Sequence, residues 1–298
     1  MKKLYLNKNL GKKIQPYFYI LPAISVVCFI YLYSLIKLFQ NSFLNLAVPQ
    51  RNFIGFRNYI SVLKDTVFWE AFSHNLIIIA VAVPVLIFLS ILFSVFLYEK
   101  IRGWKTYRFV IFLPYILSIT VTGIAFGYIF TYNGILNSIL RLLKIDFFAL
   151  DWLGSPKIAI FTVIFVIIWK ELGFGVILFY SRLMSVPVEI YDAAKVDGVT
   201  WWQNLIYITI PQLKTVIQFY LILLIITMFS WIFNYIYVMT NGGPGTSTNV
   251  VEFYIYKRAF FYNVMNSANA ASVILFIIVI IFIFVQFKIR IRIGGGSE

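Results

Sequence analysis

Six long runs of apolar residues constrain this chain more than any other feature of its sequence. They lie at about 17–38, 76–98, 107–131, 158–180, 213–239 and 267–287. Each run is near or above the roughly 20 residues that a helix needs to cross the hydrocarbon core of a bilayer. Backbone N–H and C=O groups find no water there, so a helix must satisfy them internally. The pattern therefore predicts an all-α, polytopic membrane protein with six transmembrane helices.

The composition supports this fold class. Hydrophobic residues make up 61% of the 298 residues and charged residues only 12%, which is more apolar surface than a soluble chain of this length can bury. The single cysteine, Cys28, excludes an internal disulfide and a cysteine metal cluster, and the single histidine, His74, argues against a histidine metal site or a catalytic triad. We therefore expect no metal, no cofactor and no enzymatic activity on this chain.

The net charge of +14 raises the question of nucleic-acid binding, and the distribution of the basic residues answers it. Lysines and arginines concentrate in the N-terminal segment, between 100 and 108, between 182 and 214, and from 288 onward. All four groups lie on one side of the membrane if the N-terminus is cytoplasmic, in agreement with the positive-inside rule. The charge is therefore a topology signal. It predicts that both termini and the segment 181–212 are cytoplasmic, and no nucleic-acid partner is expected.

One cytoplasmic segment differs in composition from the rest of the chain. Residues 188–198 carry three acidic residues and two alanines between two apolar runs. Acidic residues in a first turn stabilise the positive end of a helix, and Gly198 permits the backbone to turn. The segment predicts a helix, a hinge at Gly198 and a second short helix that stops at Pro211.

The spacing of this segment resembles the EAA loop of the membrane subunits of binding-protein-dependent ABC importers. Asp192-Ala193-Ala194 is followed after three residues by Gly198, and after nine more by Ile208-Thr209-Ile210-Pro211. Asp192 stands where the family usually has Glu, and Ile210 where it usually has Leu. The flanking motifs resemble the carbohydrate branch, the maltose and multiple-sugar permeases. They are Trp169-x-x-x-Gly173-Phe174 and Tyr237-Val238-Met239-Thr240-Asn241-Gly242-Gly243-Pro244.

The resemblance implies a single permease domain at 16–290, flanked by cytoplasmic tails at 1–15 and 291–298. It implies a bacterial-type plasma (inner) membrane and a complex with a second homologous permease subunit, two ATPase subunits and an external solute-binding protein. ATP and Mg are expected on the ATPase subunits, because this chain has no Gly-x-x-x-x-Gly-Lys phosphate loop. The residues expected to couple the chain to the ATPase are Glu189, Asp192, Ala193, Ala194, Asp197 and Gly198.

The fourth apolar run carries two adjacent ionisable residues about midway along it. Such groups cost on the order of 3 kcal/mol each on insertion scales, so they normally face a cavity or a partner. In the family, the sugar site lies near mid-membrane, after the motif tryptophan and in the fifth run. The substrate-path residues that the resemblance implies are Lys170, Glu171, Phe174, Phe229, Trp231, Ile232, Phe233 and Asn234. Aromatic faces and a carboxylate suit a sugar, because rings pack against pyranose C–H groups and the carboxylate accepts hydroxyl protons.

Several alternatives stay open at this point. A secondary transporter coupled to protons through Glu171 needs no docking loop and usually carries an internal repeat, which the sequence does not show. A permease for a peptide or phosphate shares the EAA loop but lacks the Asn-Gly-Gly-Pro flank. Lys170 either pairs with an acid on the partner subunit, which leaves Glu171 for a neutral oligosaccharide, or faces the cavity and meets an acidic sugar. The first arrangement is favoured, because Glu171 would repel an anionic substrate.

Overall fold

A computed structural model describes residues 16–17, 19–46 and 52–294. The predicted tail at 1–15 and the last four residues of the predicted C-terminal tail lie outside these ranges. The described part of the chain forms two compact units, one drawn from Met1–Lys64 with Arg258–Ile274 and the other from Asp65–Lys257 with Leu275–Glu298.

The first unit holds one long helix and a small hairpin. Its elements are α1 (Tyr19–Ser42), β1 (Leu44–Asn45), β2 (Asn52–Phe53) and α2 (Arg57–Leu63). The strands are antiparallel, with Leu44 opposite Phe53. Asn58 fixes the turn into the hairpin, because its Nδ2 donates to the carbonyl oxygens of Ser42 and Leu44 at 2.8 and 3.1 Å. A buried amide that meets main-chain carbonyls in this way stabilises a segment that has little regular structure of its own.

Among the residues that the structure describes, the regular elements of the second unit are all helices. Its elements are α3 (Thr66–Tyr98), α4 (Trp104–Ile116), α5 (Ile119–Ile129), α6 (Ile135–Leu142), α7 (Ala159–Leu183), α8 (Val188–Val196), α9 (Trp201–Ser230), α10 (Ile232–Met239) and α11 (Val251–Tyr256). The last helix, α12 (Met265–Gly294), contributes residues to both units.

Five of the described helices, α1, α3, α7, α9 and α12, are long and apolar enough to cross a membrane, and there are six spans when the bent pair of α4 and α5 is counted as one. The prediction of an all-helical membrane fold with six spans is confirmed, with the two-residue strands as the exception. The core of the second unit lies where α3 and α7 pack along each other, around Ile78, Leu86, Val163 and Ile167. The helix α9 packs against both.

The third span differs from its prediction. A single run at 107–131 was expected, but α4 and α5 meet at an angle of 101°. The break lies at Leu117 and Ser118, whose ψ angles of 145° and 142° are those of extended backbone. An apolar run shows that a segment can enter the membrane, but it does not show whether the segment is straight. Pro114, one turn before the break, is the local sign of it.

The fifth span also differs at both ends. The prediction that a short helix stops at Pro211 is wrong, because α9 runs from Trp201 through Pro211 to Ser230. Proline is tolerated there because a π-helical stretch, Asn204–Thr209, precedes it and the proline sits at the first turn of the α-helical part. At the other end Trp231 separates α9 from α10, so the predicted run 213–239 is two helices.

Candidate coupling loop and translocation pathway

The polar segment folds as a helix, a turn and a second helix. α8 is followed by Gly198, whose φ of +70° is a left-handed conformation that only glycine adopts without steric strain. Thr200 then caps α9, since its hydroxyl accepts from the Gln203 N–H and the Gln203 side chain accepts from the Thr200 N–H. We call residues 188–203 the elbow. Its predicted hinge at Gly198 is present.

The residues expected to couple to an ATPase do not all face outward. Five of them are exposed: Glu189, Asp192, Ala193, Asp197 and Gly198. Ala194 and Tyr191 are buried, so Ala194 belongs to the inner face of α8. Val196, on the exposed face, leaves 87% of its surface uncovered. An apolar side chain among acidic ones makes this face a suitable surface for a protein partner.

The elbow is tied to the end of α3. Trp201 Nε1 donates to Glu99 Oε1 at 2.8 Å, and the Trp201 ring stacks on Phe96 with centroids 6.0 Å apart. The ring of Tyr191 in α8 contacts the ring of Tyr98 in a tilted arrangement, with centroids 5.3 Å apart. A cavity of about 680 Å³ lies between these contacts and the end of α7. The position of the elbow therefore depends on where α3 ends.

The opposite end of α3 is bonded to the turn that follows α10. Thr246 Oγ1 donates to Glu70 Oε1 at 2.8 Å, and His74 Nδ1 lies 2.7 Å from the Asn249 carbonyl oxygen. The Asn75 Nδ2 donates to both carboxylate oxygens of Glu252, at 3.1 and 3.2 Å. α3 thus contacts the elbow at one end and this turn at the other.

The carboxyl group of Glu252 is perturbed by its surroundings. Burial raises its pKa to about 7, although hydrogen bonds to its own main chain and to Asn75 oppose the shift. A carboxyl whose pKa is raised by folding binds more protons folded than unfolded, so its contribution to stability falls as pH rises from about 4.5 to about 7. Glu252 is therefore a pH-sensitive residue in the first turn of α11.

Lys170 and Glu171 lie in a polar cluster midway along α7. Lys170 Nζ is 3.8 Å from Glu171 Oε1, and it donates to the carbonyl oxygen of Tyr115 at 3.3 Å. The hydroxyl of Tyr235 donates to Glu171 Oε1 at 3.0 Å. Lys170 is 5% exposed, whereas Glu171 is partly open. The lysine therefore has partners within its own chain, and the carboxylate is the accessible member of the pair.

The other predicted pathway residues do not gather around Glu171. Phe174 stacks on Tyr115 next to Lys170, with ring centroids 5.3 Å apart. Phe229 and Ile232 are buried, Trp231 is 53% exposed, and Phe233 joins a ring cluster with residues of α11. Asn234 lies in the first turn of α10, where its N–H donates to the Trp231 carbonyl. The break at Trp231 turns these neighbours in different directions.

Two residues of the polar cluster were not predicted from the sequence. Tyr115 follows Pro114 at the break in the third span, and Tyr235 lies one turn beyond Trp231, at the break after α9. A tyrosine next to a helix break inside a membrane is a usable signal, because the hydroxyl and the freed carbonyls both need partners there.

The fold and these sites define a class of protein, namely a membrane-spanning permease with a helical elbow between its fourth and fifth spans. Residues 63–292 match the family described as the binding-protein-dependent transport system inner membrane component, and the chain belongs to this family. The resemblance found in the sequence is confirmed, and the chain is an ABC importer permease subunit of the sugar-transporting type.

The relatives span nearly the whole chain. It is 32% identical to the probable ABC transporter permease protein YurN of Bacillus subtilis, over 91% of this chain and 93% of that protein. It is 30% identical to the lactose transport system permease protein LacF of Rhizobium radiobacter, over 87% of each. A chain in the crystal structure of a bacterial ABC transporter involved in alginate import superposes with a TM-score of 0.86, over 97% of this chain and 99% of that one, at 23% identity.

Proposed function

We propose that this chain is the permease subunit of an ATP-driven importer that translocates a neutral oligosaccharide handed over by an external solute-binding protein. In this proposal it works with a second homologous permease and two ATPase subunits, which bind ATP and Mg, and both of its termini are cytoplasmic. The observation that carries the substrate class is the partly exposed carboxylate of Glu171, which accepts a hydrogen bond from the Tyr235 hydroxyl and lies 3.8 Å from Lys170 Nζ.

The chemistry of the cluster favours hydroxyl groups over carboxylates as ligands. An ionised carboxylate accepts hydrogen bonds and donates none, so Glu171 suits sugar hydroxyls and repels an anion. Lys170, the only cation within reach of Glu171 among the described residues, is buried and engaged with Tyr115. A relative named for lactose transport, 30% identical over most of the chain, supports a neutral sugar.

The exposed face of α8 supports the proposal that ATPase subunits bind this chain. Glu189 and Asp192 lie on it with Val196, so a partner surface with basic residues around an apolar pocket complements it. Purification of the assembled complex through a tag on this chain tests the proposal directly. The expected result is co-purification of a second permease and an ATPase. Recovery of this chain alone from gently solubilised membranes would contradict it.

Uptake measurements test the substrate class. Glu171→Gln should weaken uptake of neutral sugars, such as lactose and longer neutral oligosaccharides. The complex should still assemble. Uronate-containing oligosaccharides of the same length serve as the comparison. Efficient uptake of the uronate and not of the neutral sugar, in the unaltered complex, would overturn the assignment.

A further inference from the structure

Several residues of the Trp169-x-x-x-Gly173-Phe174 motif in α7 contact the two halves of the broken third span. Trp169 packs edge-on against Phe126 of α5, with ring centroids 4.8 Å apart. Lys170, Gly173 and Phe174 follow at one-turn spacing and contact α4 instead. The two halves of the third span are thus held by neighbouring positions of a single helix.

The contact of Lys170 is with a carbonyl that the break leaves free. α4 ends at Ile116, so the carbonyl of Tyr115 belongs to the last turn, where no further helical N–H follows. At membrane depth such a group must find a partner inside the protein. The Lys170 ammonium donates to it at 3.3 Å and lies 5.3 Å from the centre of the Tyr115 ring. A cation at the C-terminal end of a helix also complements the helix dipole.

Gly173 lets the two backbones approach. A Cβ added there would lie 2.7 Å from the carbonyl oxygen of Ile111 and 3.1 Å from the Cα of Phe112, both main-chain atoms of α4. One residue on, Phe174 stacks against Tyr115 with an interplanar angle of 23°. The approach of α7 to α4 therefore brings Lys170 within reach of the free carbonyl.

We propose that Trp169, Lys170, Gly173 and Phe174 form a clasp that sets the angle between the two halves of the broken third span, with Lys170 as a positioning residue that caps the C-terminus of α4. This gives a mid-membrane lysine a task other than substrate binding. Glu171 lies between Lys170 and Gly173 in the sequence but bonds to α10. It therefore remains the pathway residue. The clasp concerns the chain's own architecture and holds for any transported solute.

The test measures the angle between α4 and α5 in the assembled importer. Spin labels at Phe109→Cys in α4 and Tyr128→Cys in α5, in a Cys28→Ser background, report one distance across the break. Both positions are well exposed in this chain. Labelled complexes are first shown to retain uptake. The variants compared are Lys170→Met, Lys170→Arg and the double variant Lys170→Met with Glu171→Gln.

Lys170→Met should broaden or shift the distance distribution, and Lys170→Arg, which keeps the charge and the donors, should keep it narrow. The double variant removes both charges and leaves no orphaned ion, so it inserts even if the single variant fails. It should still broaden the distribution and lower the assembled fraction by about tenfold, since a lost hydrogen bond to a buried carbonyl is of that order. A narrow, unshifted distribution in the double variant would overturn the proposal and assign Lys170 only to neutralising Glu171. Glu171→Gln alone should reduce uptake and leave the distance between the two spin labels unchanged. An error in the proposed substrate class therefore shows in uptake, and an error in the clasp proposal shows in the label distance.

Discussion

Replacement of Gly198 tests whether the elbow needs the left-handed backbone conformation of glycine, because no neighbouring atom in the described part of the chain restricts a side chain at this position. The residue has a φ of +70°, and a Cβ added to it meets no atom of the described chain within 4 Å. Any effect of Gly198→Ala therefore comes from the backbone, where an L-residue in the left-handed region costs roughly 1–2 kcal/mol. That energy reduces the population of the native turn by a factor of about 5–30 relative to its alternatives. Asparagine visits this region more readily, so Gly198→Asn should retain more of the native turn.

The assay is ATP-dependent uptake, with ATP hydrolysis measured on the same purified complexes. We expect Gly198→Ala and Gly198→Leu to insert normally but to transport less sugar per ATP hydrolysed, and Gly198→Asn to fall between them and the unaltered chain. Insertion is checked by the amount of the chain in the membrane fraction. Normal transport by Gly198→Leu at normal expression would refute the reasoning, and so would Gly198→Asn being as impaired as Gly198→Ala.

Three further results are expected. Asp192→Lys should weaken retention of the ATPase on affinity-purified complexes, because it reverses the charge on the exposed face of α8; undiminished retention would show that Asp192 only faces solvent. Glu252→Gln should remove a fall in melting temperature between about pH 4.5 and pH 7, because glutamine has no carboxyl group to ionise. Glu70→Gln, in α3 and bonded to the turn after α10, is the control, and an unchanged pH slope in Glu252→Gln would contradict the assignment. Gly175→Ala should lower thermal stability by about 1–3 kcal/mol, because its Cβ would lie 2.6 Å from the Tyr220 hydroxyl, whereas Gly127→Ala, with nothing within 4 Å, should be neutral or slightly stabilising. Equal melting temperatures of the two alanine variants would count against the packing argument.

The sequence alone predicted the membrane fold, because the length of a hydrophobic run determines whether a helix can span a bilayer. The elbow was also predictable, since acidic residues, alanines and Gly198 act within one or two turns of the chain. The bend between α4 and α5 was not predictable as such. Its angle depends on Gly173 and Lys170, which are distant in sequence from Pro114 and contact α4 only after α7 has folded.

The pathway residues could also be predicted only in part from the sequence. Glu171 was found because an acid inside an apolar run is rare, but its partner Tyr235 was not. The family resemblance implied Phe233 and Asn234 as pathway residues, but it carried no information on the break at Trp231, which precedes both of them. The structure instead places Phe233 against Tyr256 of α11.

The length of α3 has a consequence for the timing of transport. Its 33 residues extend for about 50 Å, which exceeds the roughly 30 Å hydrocarbon core of a bilayer. Glu70 bonds to the turn after α10, Asn75 bonds to Glu252 of α11, and Glu99 bonds to the elbow. Because these bonds start from one helix, a tilt of α3 would move the contacts at both of its ends together, without passing through Glu171.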